Sequence, residues 1–276
     1  MEKKYLAIVM AMVLASCTDQ FVEDEVAGGF SEQAPKSEIN VLMEKARWGD
    51  GQACLKLADC YRDGKGVKAD FVSMMSMLSM AEDFGAINRI EDYFGEMPFN
   101  NELEFLAKWT KDEADRDAVL GALAVERGDT LQGIQMIKTA AERKSSLAIL
   151  LRCSTNLNTI AKPGVMKLIE AAEKVPYAYK ILGNIYSGND YPGLKDEQLA
   201  AYYYLKADQH VCLGKDGARW LLNYYYDGGN LKLGEKDLER LKILAKEEQQ
   251  KPVVPTEWLE DVDEVIEVVD TVALAY

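Results

Sequence analysis

Only a few side chains in this sequence could support catalysis. The chain holds one histidine, His210, so multi-histidine metal sites are excluded and any nucleophile–histidine pair must use that residue. No G-x-S-x-G motif accompanies it, and it follows a helical pattern that ends near Gln209. We therefore expect His210 to be a structural or solvent-exposed side chain rather than a general base.

Carboxylates are abundant, and the densest group is Asp112, Glu113, Asp115 and Asp117. A glycosidase needs two carboxylates that face each other across a cleft, and this spacing instead indicates a solvated helical face. Residues 187–193 lack the D-x-D-x-D-G spacing of a calcium loop and predict a turn. The sequence thus predicts no enzyme, no metal site and no cofactor.

Besides Cys17, the chain has four cysteines, Cys54, Cys60, Cys153 and Cys212. Because this number is even, disulfides have to be considered. Cys54 and Cys60 would lie about 9 Å apart along one predicted helix, beyond the roughly 7 Å limit between the Cα atoms of a disulfide. Since alanine, leucine and tyrosine surround them at helical spacing, we predict buried core thiols. No C-x-x-C motif is present, which excludes thioredoxin chemistry.

The first residues of the chain combine a basic pair, a short apolar run and a cysteine. Lys3 and Lys4 precede an apolar run, residues 5–15, which is too short for the roughly 20 residues of a membrane-spanning helix. The run ends in the sequence L-A-S-C at Cys17. This sequence resembles the lipobox of bacterial lipoproteins, in which small residues precede a lipid-modified cysteine. The resemblance implies that residues 1–16 are removed as a signal peptide and that Cys17 carries lipid. Acyl chains bind membranes with about 0.8 kcal/mol per buried CH₂ group. The alternative is an ordinary secretory signal.

Residues 17–37 mix acids with a Gly-Gly pair and a proline, and predict a flexible acidic tether. Asp19 and the acids at 23–25 loosely resemble the residues that direct lipoproteins of some Gram-negative lineages to the cell surface. The alternative is a solvated spacer. We predict a lipid anchor in the bacterial cell envelope, at the periplasmic or surface side of the outer membrane.

The formal net charge is −14, from 32 Lys and Arg against 46 Asp and Glu. Nucleic acid is excluded as a partner because no basic stripe offsets this surplus of acids. An anionic membrane surface would also repel the folded part of the chain. The partners we expect are therefore envelope proteins, with the membrane reached only through the lipid anchor.

A helical hairpin pattern recurs along the body of the chain. From Ala53 it places Leu57 and Tyr61 on one helical face, stops at the glycines of 64–66, and starts a second helix near Asp70. The same pattern returns from Ala178 and from Ala218, at Leu182, Gly183, Tyr186, Gly188, Asp196, Leu222, Tyr226 and Gly228. Degenerate copies are suggested by Ala86, Ala118 and Ala148, with closing alanines at 140–141 and 171–172.

The pattern resembles the Sel1-like repeat, a relative of the tetratricopeptide repeat, with Ala58 and Met74 as departures from it. The resemblance covers about residues 38–248, and we assign 38–250 to the repeat domain. It implies an all-α fold, a right-handed α/α superhelical solenoid of helical hairpins. Tyr61, Tyr186 and Tyr226 each offer a large apolar body, with a hydroxyl that can reach the backbone of a turn at the rim. The resemblance also implies a protein-interaction scaffold.

Two tyrosine triplets, 202–204 and 224–226, stand out as surface candidates. Successive helical residues point about 100° apart, so at least one member of each triplet must be exposed. The residues that we assign to partner binding are Tyr202, Tyr203, Tyr224, Tyr225 and Trp220; the alternative is packing between repeats. Met74, Met75, Met77 and Met80 offer a similar choice, between soft core filling, which we favour, and a binding surface.

Residues 251–276 contain a proline-bounded connector and then an acidic segment with apolar residues at helical spacing. We predict a capping helix there, with a strand or a partner-binding tail as the alternative. The whole sequence thus predicts a non-catalytic, lipid-anchored adaptor of the envelope. The alternatives are an envelope enzyme that hydrolyses glycans or peptides, and a purely structural lipoprotein.

Overall fold

The computed structural model describes residues 38–95, 102–157, 161–188 and 192–246. Within these ranges it contains thirteen α-helices, one 3₁₀ helix (Pro192–Leu194) and no strand. The helices are α1 Glu38–Arg47, α2 Gly51–Asp63, α3 Phe71–Asp83, α4 Ile90–Phe94, α5 Glu102–Trp109, α6 Glu113–Glu126, α7 Thr130–Glu142, α8 Ser146–Leu157, α9 Ala161–Ala172, α10 Tyr177–Ser187, α11 Glu197–Gln209, α12 Gly214–Tyr226 and α13 Glu235–Ala245. The predicted signal peptide, tether and capping helix lie outside the described residues.

Aspartate caps and left-handed glycines set the bounds of the hairpin helices. The Asp70 carboxylate accepts the backbone N–H of Ser73 at 2.7 Å and starts α3, and Asp196 caps α11 in the same way. Gly64, with φ of 69°, ends α2, and Gly188, with φ of 86°, ends α10. The glycine turn and the second-helix start predicted from the sequence are confirmed.

Consecutive helices pair into hairpins: α2 with α3, α6 with α7, α8 with α9, α10 with α11, and α12 with α13. The predicted all-α fold of successive helical hairpins is therefore confirmed. Ala118 and Ala148 are fully buried on the first helices of the two degenerate hairpins. Ala86 is different, because α3 has already ended at Asp83 and Ala86 lies in the following loop. The prediction that Ala86 marks a hairpin helix is wrong.

In two hairpins, glycines at the contact between the helices allow close packing. A Cβ atom on Gly183 of α10 would lie 2.5 Å from the Tyr204 ring of α11. A Cβ atom on Gly133 of α7 would collide with the carbonyl oxygen of Gly121 in α6. These glycines let the paired helices approach more closely than any larger residue would permit.

Helix α3 lies at the centre of the packing, with ten of its thirteen residues buried. It contacts its neighbours α2 and α4 and also α8 and α12, which belong to later hairpins. Met74, Met75, Met77 and Met80 are between 0% and 3% exposed. The prediction that these methionines fill the core is confirmed, and the alternative of a methionine binding surface is wrong.

The short helices α4 and α5 are held by an aromatic cluster rather than by a full hairpin. The rings of Tyr93, Phe94, Phe105 and Trp109 contact one another with centroids 5.3 to 6.2 Å apart. Arg62 of α2 donates to the Tyr93 hydroxyl at 2.7 Å and lies 5.8 Å from the Trp109 ring centroid. This cluster attaches α4 and α5 to the first hairpin.

The cysteines of the described part of the chain are free thiols. Cys54, Cys153 and Cys212 are buried, as predicted, whereas Cys60 is only half-buried. Burial raises the pKa of Cys54 to about 12 and that of Cys153 to about 11, so both stay protonated and unreactive near neutral pH. None of the helices in the described ranges is long and apolar enough to cross a membrane.

Candidate partner-binding surface

The tyrosine triplet of α11 divides between surface and core. Tyr202 is 52% exposed, while Tyr203 and Tyr204 are buried. The Tyr202 ring is held edge-on by Tyr203, with centroids 5.1 Å apart, and the Lys206 ammonium lies 5.9 Å from it. Of this triplet, only Tyr202 offers an aromatic ring to a partner.

Tyr203 belongs to a ladder of near-parallel rings. Its ring stacks on Tyr186 at 5.6 Å and on Tyr179 at 6.3 Å, and Tyr179 stacks on His210 at 5.8 Å. The Tyr179 hydroxyl donates to Glu173 at 3.0 Å, and burial together with this acceptor raises the pKa of Tyr179 to about 12. His210, the residue after α11, thus lies at the end of this ladder of rings.

The second triplet ends α12 and is more exposed. Trp220 is half-buried and stacks on Tyr224 with centroids 5.2 Å apart, and Tyr225 is also half-buried. Tyr226 is 52% exposed. Tyr226 is the last residue of α12. Each triplet therefore has an exposed member, as predicted.

A further exposed apolar patch, which the sequence analysis missed, lies on α6 and α7. Leu131 is 87% exposed, Ile134 54% and Val125 37%. The buried residues of α7 are Gly133 and Ala140; Met136 and Ile137 are half-buried beside Gly121 of α6, whereas Leu131 and Ile134 are exposed. The signal in the sequence was the pair of small residues Gly133 and Ala140, seven positions apart, with Leu131 and Ile134 out of phase with them.

The acidic group at the start of α6 is not a uniform solvated face. Glu113 and Asp117 are partly exposed and pair with Arg143, as a surface face would. Asp115 is only 1% exposed, and its carboxylate accepts the Phe71 N–H at 2.9 Å and the Ser145 hydroxyl at 2.6 Å. The prediction of a solvated face is wrong for Asp115, because α6 turns this side chain toward α3 and α8.

The Asp115 carboxylate is engaged within the protein. Each carboxylate oxygen of Asp115 accepts a hydrogen bond from the protein itself. The adjacent cleft, lined in part by Tyr61, Asp70 and Asp112, has room for about one water molecule, far less than the roughly 300–1,000 Å³ of typical ligand pockets. In the described parts of the chain, no group of three His, Cys, Asp or Glu side chains could hold a metal ion.

These features define a protein of consecutive helical hairpins with aromatic and aliphatic side chains on its surface. No family model matches the chain, and no curated protein matches its sequence. It is similar to the crystal structure of a Sel1 repeat protein from Oxalobacter formigenes, with 20% identity, a TM-score of 0.40, and coverage of 76% of this chain and 98% of that one. It is also similar to a protective antigen of uropathogenic Escherichia coli strains with an SLR fold, with 20% identity and a TM-score of 0.35. That match covers 75% of this chain and 55% of the antigen, and both likenesses concern the fold alone.

Proposed function

We propose that this chain is a lipid-anchored interaction scaffold of the bacterial cell envelope. The observation that carries the proposal is the exposure of large apolar side chains on helices that are otherwise well packed. Tyr202 and Tyr226 are each 52% exposed and Leu131 is 87% exposed. Tyrosine is enriched at protein interfaces because its ring combines a large contact area with a polar hydroxyl.

Neighbouring rings hold the surface aromatic side chains in place, and this arrangement favours binding as well. Tyr202 rests on Tyr203, which the ring ladder fixes, and Trp220 stacks on Tyr224. Rings held in place before binding lose little conformational entropy when a partner docks. The candidate binding residues are therefore Tyr202 of α11 and, on α12, Tyr226 with the half-buried Trp220, Tyr224 and Tyr225.

The anchor in this proposal rests on the L-A-S-C sequence that ends at Cys17, directly after a short apolar run. Two or three acyl chains would hold the protein stably at a membrane, and the acidic segment that follows would space the helical hairpins from its surface. The outer membrane, on its periplasmic or surface side, is the location we propose.

The test uses a photo-crosslinking amino acid placed at Tyr202 or Tyr226 of the full-length protein in intact bacterial cells. Lys56, an exposed residue of α2, provides a control position with no aromatic neighbour in the proposed surface. We expect Tyr202 and Tyr226 to yield the same discrete crosslinked envelope protein and Lys56 to yield none. Equal products at all three positions, or none at any, would contradict the scaffold.

The anchor is tested separately by fatty-acid labelling of the wild type and of Cys17→Ala. We expect label and membrane association in the wild type and neither in the variant. A Cys17→Ala protein that still carries fatty acid would show that the lipid assignment is wrong, while leaving the interaction surface to its own test.

A further inference from the structure

Two carboxylates meet at the start of α3, although they come from different hairpins. Asp70 caps the helix by accepting the Ser73 N–H at 2.7 Å. Asp115, from α6, accepts the N–H of Phe71 at 2.9 Å in the same first turn. Since both acids bind the first turn of one helix, their charges lie close together in a part of the structure where Asp115 is 1% exposed.

The pair also joins three helices. The Ser145 hydroxyl donates to Asp115 at 2.6 Å and itself accepts the Ala148 N–H of α8 at 3.0 Å. The Ser146 side chain is hydrogen-bonded to Asp70. The two carboxylates thus link the N-termini of α3, α6 and α8, which belong to successive parts of the chain.

Little positive charge balances the pair. Within the described ranges, no lysine or arginine forms an ion pair with Asp70 or Asp115. The charged and titratable groups around the junction are Lys68 before α3, Asp112 at the cap of α6, and Tyr61, Arg62 and Lys111 along the adjacent cleft. Lys68 is 3.8 Å from Asp112, and Arg62 is bonded to Asp63. The charge of Lys68 also favours the charged form of Asp70, but burial of Asp70 outweighs it. The side chains that reach the pair from the start of α8 are Ser145 and Ser146, which carry no charge.

The adjacent cleft gives the junction access to solvent. Tyr61, which is 3% exposed, lines this cleft together with Asp70 and Asp112, and its hydroxyl has no hydrogen-bond partner within the protein. A buried hydroxyl without a protein partner is commonly satisfied by water. Water in the cleft would exchange protons between the solvent and Asp70, the member of the pair that lines the cleft.

We propose that Asp70 and Asp115 hold one proton between them and make the junction of α3, α6 and α8 a pH-sensitive joint. When the proton is bound, one carboxyl is neutral and the junction carries a single negative charge. When the proton leaves through the cleft to solvent, two negative charges repel each other at the same helix end. The joint is therefore tighter at mildly acidic pH than at alkaline pH.

The protonation behaviour agrees with this geometry. Burial and the neighbouring Asp70 charge raise the pKa of Asp115 from 3.8 to about 7, and burial also raises the pKa of Asp70. Between pH 3.8 and about 7 the folded protein therefore binds more protons at Asp115 than the unfolded chain does. This contribution to stability is largest below that range, falls as the pH rises through it, and is lost above about pH 7.

The first test measures urea unfolding of the full-length protein at about pH 5.5 and about pH 8. It compares the wild type, Asp115→Asn, Asp70→Asn and the control Asp117→Asn, which removes a partly exposed carboxylate paired with Arg143. We expect the unfolding equilibrium constant of the wild type and the control to be at least about tenfold larger at the higher pH. Both variants at the junction should lose most of that difference, because asparagine resembles the protonated acid and still caps α3. If they keep the wild-type ratio, the proposal is wrong.

A second measurement locates the effect and does not depend on a variant. Amide hydrogen exchange of the wild type, corrected for intrinsic pH dependence, should show protection in the first turns of α3 and α8 that decreases about tenfold over the same range. Protection in α11, whose main contacts are with α10 and α12, serves as the internal control. Equal changes in all three helices would overturn the proposal, because they would indicate a general effect of net charge.

Discussion

The Asp83 carboxylate, at the end of α3, accepts a hydrogen bond from the backbone N–H of Lys215 in the first turn of α12, at 3.1 Å and across 132 sequence positions. Leu213, at the N-cap of α12, has no side-chain acceptor, so Asp83 supplies the cap from a distant helix. Asp115 does the same for Phe71 at the start of α3. Distant carboxylates thus stabilise helix ends and hold non-neighbouring hairpins together.

Replacement of Asp83 by alanine tests this distant cap. We expect Asp83→Ala to reduce the free energy of unfolding by about 1 kcal/mol, the usual value of a helix cap. Urea denaturation followed by circular dichroism measures the change, with Asp227→Ala as the control because Asp227 is exposed in the loop after α12. Equal stability of the two variants would show that the cap contributes nothing.

Gly183 tests the close approach of α10 and α11. In Gly183→Ala the new Cβ would lie 2.5 Å from the Tyr204 ring, so the ring or the helix must move. We expect destabilisation by about 1–3 kcal/mol, as for other overpacked cores. Thermal unfolding measures this, and Gly193→Ala is the matched control because a Cβ there would meet nothing within 4 Å. A Gly183→Ala protein as stable as the control would contradict the packing.

The ion pair between Arg240 and Asp208 tests the contact of α13 with α11. Arg240 donates two hydrogen bonds to Asp208, at 2.5 and 2.6 Å, and both side chains are under 10% exposed. We expect Arg240→Met to destabilise the fold by about 3–5 kcal/mol, because Asp208 loses its main partner. Arg47 lies 3.7 Å from Asp208 and would reduce this loss by partly balancing the Asp208 charge. Arg219→Met, which breaks an exposed pair with Asp216, should cost under about 1 kcal/mol.

A double variant separates the lost pair from the unpaired charge. If the cost of Arg240→Met comes from leaving Asp208 charged and buried, then Arg240→Met combined with Asp208→Asn should recover much of the stability. Urea unfolding of the single and double variants measures the coupling. No recovery would indicate that the cost lies in lost packing of the arginine stem.

Leu131 tests the exposed patch on α7. Because Leu131 is 87% exposed, we expect Leu131→Ser to change the free energy of unfolding by less than about 0.5 kcal/mol. If the patch binds a partner, a photo-crosslinker at Gln135, on the same exposed side of α7, should lose its product in the Leu131→Ser background. The buried residue Leu147 of α8 is a contrast, since Leu147→Ser should destabilise the fold. A large loss of stability for Leu131→Ser would show that the side chain is not exposed in solution.

Local features of the helices could be predicted because they depend on residues close in sequence. Asp70 and Asp196 start helices, and Gly64 and Gly188 end them, through hydrogen bonds and backbone angles within a few residues. The same local spacing required an exposed ring in each tyrosine triplet. It did not determine which ring, because that depends on what packs against the helix.

The sequence by itself determined the all-α class and the hairpin turns, and it favoured core filling by the methionines of α3 without deciding it. Only the tertiary structure decided that α3 is covered by α8 and α12, that Asp83 caps a helix 132 positions away, and that Asp115 is buried while Asp117 stays at the surface. The physical reason is that a turn, or a cap supplied by the residue just before a helix, involves only residues that are neighbours in sequence. Burial and charge pairing depend on which distant helices meet, and no spacing within a single repeat encodes that.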